Sequence, residues 1–201
     1  MKKAVTLFLV CGVIGLVVYT SAFATGGSPL VMGKWDDSEG QFYKYHVTNM
    51  TTVPSHLVVG VYDKDGALCG CGHKMMPANG TATFCVTCHT DGTPPAGVVA
   101  SESELYPWLV YDFYGCQYSE GAVKIVCVQS LTPNYGTVKN NTQVTITVGS
   151  AQCSGYQTLN YWPIDGNALL SESQLSAITL ANMAEIRKVV TECGKFFYDH
   201  L

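Results

Sequence analysis

Residues 85–89, Cys85-Val86-Thr87-Cys88-His89, gather two thiols three positions apart and an imidazole directly after the second. Three chemistries are open to such a set. Both sulfurs can add to the vinyl groups of one porphyrin while the imidazole takes an axial position on its iron. The same pair can cycle between dithiol and disulfide, exchanging electrons with other thiols. With Cys69 and Cys71 as a second close pair, four thiolates can also enclose a tetrahedral zinc ion.

The compartment bears on all three. Lys2 and Lys3 precede an almost unbroken apolar run over 4–18, and Ala22-Phe23-Ala24 supplies small residues for cleavage, so 1–24 reads as a bacterial signal peptide. An uncleaved anchor is the other reading of that run, and Cys11 departs with the peptide if it is cut. The expected mature chain, 25–201, is one β-rich domain located in the periplasm or outside the cell. It carries nine basic against fifteen acidic residues, which offers nothing to nucleic acid and allows a basic redox partner.

Eight cysteines remain in that chain, an even number suited to a disulfide framework in an oxidising compartment. If Cys85 and Cys88 carry a cofactor, Cys69, Cys71, Cys116, Cys127, Cys153 and Cys193 are left for three bridges; otherwise four can form. Cys69 and Cys71 stand too close to bridge each other comfortably, so each is expected to pair with a distant partner.

The elements that would position these groups are mostly strands. Runs rich in aromatic and β-branched residues predict strands over 41–48, 56–62, 67–76, 81–87, 108–114, 122–129, 142–148 and 156–162. Turns at Asp63-Lys64-Asp65-Gly66 and Pro77-Ala78-Asn79-Gly80 make a meander of the early ones, pairing 67–76 with 81–87. Many short strands between turn signals predict an antiparallel β-sandwich or open barrel. The last segment changes period: Ser171 and Gln174 have capping-box spacing, and Leu175, Ile178, Met183, Ile186, Val189, Val190, Cys193, Phe196 and Phe197 form one stripe. That predicts an amphipathic helix over about 171–198, covering the sheet and tied to it through Cys193.

The pentapeptide resembles the haem-attachment motif of c-type cytochromes. That resemblance implies one covalent haem c on Cys85 and Cys88, His89 as the proximal iron ligand, and outer-sphere transfer of single electrons to a redox partner protein, without enzymatic turnover. The setting differs from that of the small cytochromes. Thr81, Thr83, Phe84, Val86 and Thr87 are strand formers, and Thr90-Asp91-Gly92-Thr93-Pro94-Pro95 cannot continue a helix. The expected hairpin would put His73 beside the motif as the candidate distal ligand, with Met75 and Met76 next, then Met183. His200 lies near the same helical stripe as Met183, whereas His46 and His56 flank a hairpin and are expected at the surface.

Residues 42–86 also look like the β-sandwich modules of secreted proteins in metal-reducing bacteria. The likeness rests on Tyr43-Lys44-Tyr45-His46-Val47-Thr48-Asn49, Val61-Tyr62-Asp63-Lys64-Asp65-Gly66 and Pro77-Ala78-Asn79-Gly80-Thr81-Ala82-Thr83-Phe84. Such modules are often haem-free. A second function therefore stands beside the first: a disulfide-stapled structural or interaction module of a surface assembly, using Tyr43/Tyr45 and Tyr111/Tyr114 as exposed edges for self-association or a partner. A third, thiol–disulfide exchange at Cys85 and Cys88, lacks the helix that would lower the thiol pKa, because Pro94 and Pro95 block it. No Ser/His/Asp or paired-carboxylate set supports a hydrolase.

Overall fold

Alternation decides which face each strand buries. In the computed structural model, residues 27–36, 41–87, 97–100, 109–110, 120–132, 144–161, 168–178 and 183–200 are described. Among them the strands are β1 (Leu30–Asp36), β2 (Gln41–Asn49), β3 (Ser55–Asp63), β4 (Leu68–Met76), β5 (Thr81–Thr87), β6 (Gly97–Ala100) and β7 (Leu109–Val110). They continue with β8 (Glu120–Val128), β9 (Ser130–Thr132), β10 (Thr145–Thr147), β11 (Cys153–Tyr161), β12 (Ala168–Gln174) and β13 (Ser176–Ala177), before the helix α1 (Met183–His200). One sheet runs β13-β1-β8-β3-β4-β7, a second runs β12-β11-β2-β5-β6, and β9 pairs with β10. Neighbouring strands are antiparallel. The protein is thus mainly β, with sheets packed together as a sandwich, one C-terminal helix and no closed barrel.

Between the sheets, Tyr45, Val47, Phe84 and Val86 from one meet Leu57, Val59, Val61 and Ile125 from the other. The other face of the six-stranded sheet is covered by α1, whose Ile186, Val189, Val190, Cys193 and Phe197 bury against Val58, Tyr62, Cys71 and Val126. A strand covered on both sides must be apolar nearly throughout, which is why β3 reads Leu57-Val58-Val59-Gly60-Val61-Tyr62 without polar interruption.

The expected meander is corrected. Of the three strands in that meander, β3 and β4 pair as a hairpin, whereas β5 returns to the other sheet beside β2. Asn49 is the physical reason. Its buried amide donates to the carbonyls of Val53 (2.8 Å) and Pro77 (2.9 Å), stitching the outgoing crossover after β2 to the returning one before β5. Its Oδ1 accepts from the Thr51 N–H at 3.0 Å, and the Asn79 N–H donates to Thr51 O at 3.0 Å. Asn79 takes φ 54°, a left-handed conformation that asparagine tolerates.

The helix is corrected too. It begins at Met183, not near 171, because 168–174 adds to the sheet as β12, with Ser171 opposite Leu159. The side chains of Leu175 and Ile178, expected in the helical stripe, pack instead into the inter-sheet core and against the helix-side cluster.

Candidate functional site

Cys85 stands on β5, opposite Lys44 of β2 and Val99 of β6. Ala82, Phe84 and Val86 point into the core, so Cys85 and Thr83 project from the outer face of the five-stranded sheet. Cys85 is half-buried. Burial pushes its thiol up from the ordinary value and the Lys44 ammonium only partly opposes this, leaving a protonated, weakly nucleophilic sulfur at neutral pH. His46, one step along from Lys44 on the same face of β2, is the diagonal neighbour of Cys85. Its ring stacks on Tyr156 at 4.6 Å, and its Nδ1 is 3.2 Å from the Thr83 hydroxyl. Burial, then Lys44, lower the His46 pKa, with Glu172 opposing. Cys88 and His89 lie outside the described residues.

The hairpin expected to bring His73 to this place does not form. His73 sits on β4 in the other sheet, on the face that α1 covers, so it and Cys85 project from opposite outer faces of the sandwich. Its Nε2 is 3.0 Å from Nδ1 of His56 and the two rings stack at 5.2 Å. His56 is therefore buried, contrary to its expected surface position. Met75 is directly opposite His56, Met76 is sealed in the inter-sheet core, and Met183 is exposed at the start of α1. His200 ends that helix. Among the described residues no three His, Cys, Asp or Glu side chains converge as a metal site.

The histidine pair makes stability depend on pH. Burial, and then the charge His56 would carry, push His73 down to about 3, and burial lowers His56 as well. The unfolded chain, titrating near 6.5, takes up protons first as pH falls, so stability is full above that value and drains away between about 6.5 and 3. At pH 5 the loss from His73 alone should be about 2 kcal/mol. Urea midpoints at pH 7.5 and 5 check it: the wild type should weaken, and His73→Leu should flatten the profile. Equal slopes in both proteins would refute the assignment.

Cysteine pairing removes the zinc alternative. Cys71 is bridged to Cys193 of α1 across 122 positions, and Cys69 is also disulfide-bonded, to a partner outside the described residues. Cys71 thus takes a distant partner, as expected. Cys127 and Cys153 are buried free thiols, and Cys116 lies outside the described residues. Tyr43 and Tyr45, expected at an exposed edge, are core residues, and the Tyr45 hydroxyl donates to Lys34 O at 2.7 Å. Tyr111 and Tyr114 fall outside the described residues.

Two arrangements escaped the sequence. The His56–His73 contact depends on the β3–β4 register, which a bulge between Val61 and Tyr62 shifts; the Asp63–Gly66 turn gave the hairpin but not that offset. The His46–Tyr156 stack joins strands more than a hundred residues apart and had no local signal. Among the described residues no helix is long and apolar enough to cross a membrane. No protein-family model, curated protein or solved structure matches this chain.

Proposed function

We propose that the chain works outside the cytoplasm as a disulfide-stapled β-sandwich module that holds a place in a surface assembly and performs no turnover. The observation that carries this reading is the bridge between Cys71 and Cys193, both fully buried, which clamps the only described helix onto the six-stranded sheet. A structural bridge of that kind belongs to an oxidising compartment, in agreement with the signal-peptide pattern of 1–24. The outer face of the other sheet is the surface it offers. Lys44, His46, Thr48, Thr83, Ser154 and Tyr156 stand half-buried there, a mixed polar and aromatic face suited to a protein partner.

A c-type haem on Cys85 and Cys88 is the second reading, favoured by Cys85 and His46 sharing that outer face. The strand geometry opposes it. β5 keeps residues 85–87 extended and paired, Val86 with Tyr43 and Thr87 with Gly97, whereas a helical turn would bring the two thiols of the motif to one side. Haem attachment would require those last pairs to open.

Expression with a signal peptide in a host that matures c-type cytochromes separates the two. The module reading expects a colourless protein at the mass of the plain mature polypeptide, less the hydrogens lost to disulfides. A haem spectrum that survives denaturation, with one haem added to the mass, would replace it with the cytochrome reading.

A further inference from the structure

Pro29 marks the point where the first described segment changes sheets. Before it, Ser28 forms an antiparallel bridge with Cys153 of the five-stranded sheet: the Ser28 N–H donates to Cys153 O (3.0 Å), and the Cys153 N–H donates to Ser28 O (2.9 Å). After it, β1 pairs with β8, and the Pro29 carbonyl accepts the Cys127 N–H at 2.9 Å. Cys127 and Cys153 therefore hang from consecutive carbonyls, one in each sheet, where a single segment draws the two sheets together. Both side chains belong to the same inter-sheet cluster and neither has exposed surface.

We propose that Cys127 and Cys153 form an inter-sheet disulfide under oxidising conditions, a second staple independent of Cys71–Cys193. In the reduced state the Cys153 thiol donates to Ser28 O at 3.5 Å, and burial, followed by the neighbouring Cys153 thiol, keeps Cys127 protonated. Oxidation forms one S–S bond and removes two electrons and two protons. The acceptor is an external disulfide, such as that of an exchange protein or oxidised glutathione, which leaves as two thiols. Because both sulfurs are sealed in the core, exchange has to occur before the sheets close, and afterwards the bridge is shielded from reductant. The staples differ in position: one joins helix to sheet, the other sheet to sheet.

Its occurrence in the cell rests on the proposed export, so the test treats the two separately. The reduced, unfolded mature chain is refolded in a glutathione redox buffer, alkylated in denaturant without reductant, digested and mapped. The expected result is a peptide pair linked through Cys127 and Cys153, with neither residue alkylated. Alkylation of both, or linkage of either to another cysteine, would overturn the proposal. Cys153→Ser should leave Cys127 unreactive in the folded protein and alkylated once unfolded; a Cys127 still protected after unfolding would also overturn it. The same map of protein recovered from an exporting host tests the compartment: free thiols there, beside a linked pair from the refolded chain, would fail the export reading and leave the pairing intact.

Discussion

Removing the Cys71–Cys193 bridge should destabilise the protein by about 4 kcal/mol, through the greater freedom given to the unfolded chain. The bridge joins positions 122 apart in sequence, so it closes a loop containing most of the strands. Local contacts should still direct α1 to its place in the variant: Tyr62 donates from its hydroxyl to Glu192 at 2.8 Å, Lys124 pairs with Glu185, and the stripe from Ile186 to Phe197 remains apolar. Chemical denaturation of Cys71→Ala/Cys193→Ala against the wild type, without reductant, measures the effect. A deficit of 2–5 kcal/mol is the range expected for loss of a native bridge from a secreted domain. Limited proteolysis supplies the structural counterpart, with cleavage within 183–200 appearing early in the variant and late in the wild type. Indistinguishable midpoints would mean that the bridge contributes nothing to holding the helix.

The parts legible in the sequence were those written in local alternation. Residues 81–87 became β5 with both ends as expected, and the Asp63–Gly66 turn joined β3 to β4 because Asp63 Oδ1 accepts from the Asp65 and Ala67 N–H groups while Gly66 takes φ 85°. Which strands pair across the molecule was not local information. The Pro77–Gly80 turn looks like a hairpin turn, and only the Asn49 amide, 28 residues away, shows that it is a crossover between sheets. The same limit explains the helix start. Residues 171–178 can be drawn as the start of a helix, yet the edge of β11 offers 168–174 ladder hydrogen bonds that the isolated sequence does not display. The candidate site followed suit: Cys85 was placed on its strand correctly, but its neighbour on that face is His46, and the chosen His73 belongs to a buried pair in the other sheet.

Trp35→Ala should be the most damaging single change in the inter-sheet core, costing about 3–5 kcal/mol. Trp35 lies on β1, is 1% exposed and is among the largest fully buried side chains described. Its loss opens a cavity in a cluster built from both sheets, and strands fixed by ladders on either side can collapse into it only partly. There is a polar component as well. The indole Nε1–H donates to Tyr62 O at 2.8 Å, next to the Val61/Tyr62 bulge. The backbone at that bulge has little room to adjust, since a Cβ added to neighbouring Gly121 would fall 2.0 Å from the same carbonyl. Trp35→Phe retains part of the volume but removes the donor, so it should cost less than the alanine change, with about 1 kcal/mol from the lost hydrogen bond. Urea unfolding of the three proteins resolves the two contributions. Against a total domain stability of about 5–15 kcal/mol, the alanine change removes a large share and the phenylalanine change a smaller one. A loss below about 1 kcal/mol in Trp35→Ala would contradict this packing of Trp35 between the sheets.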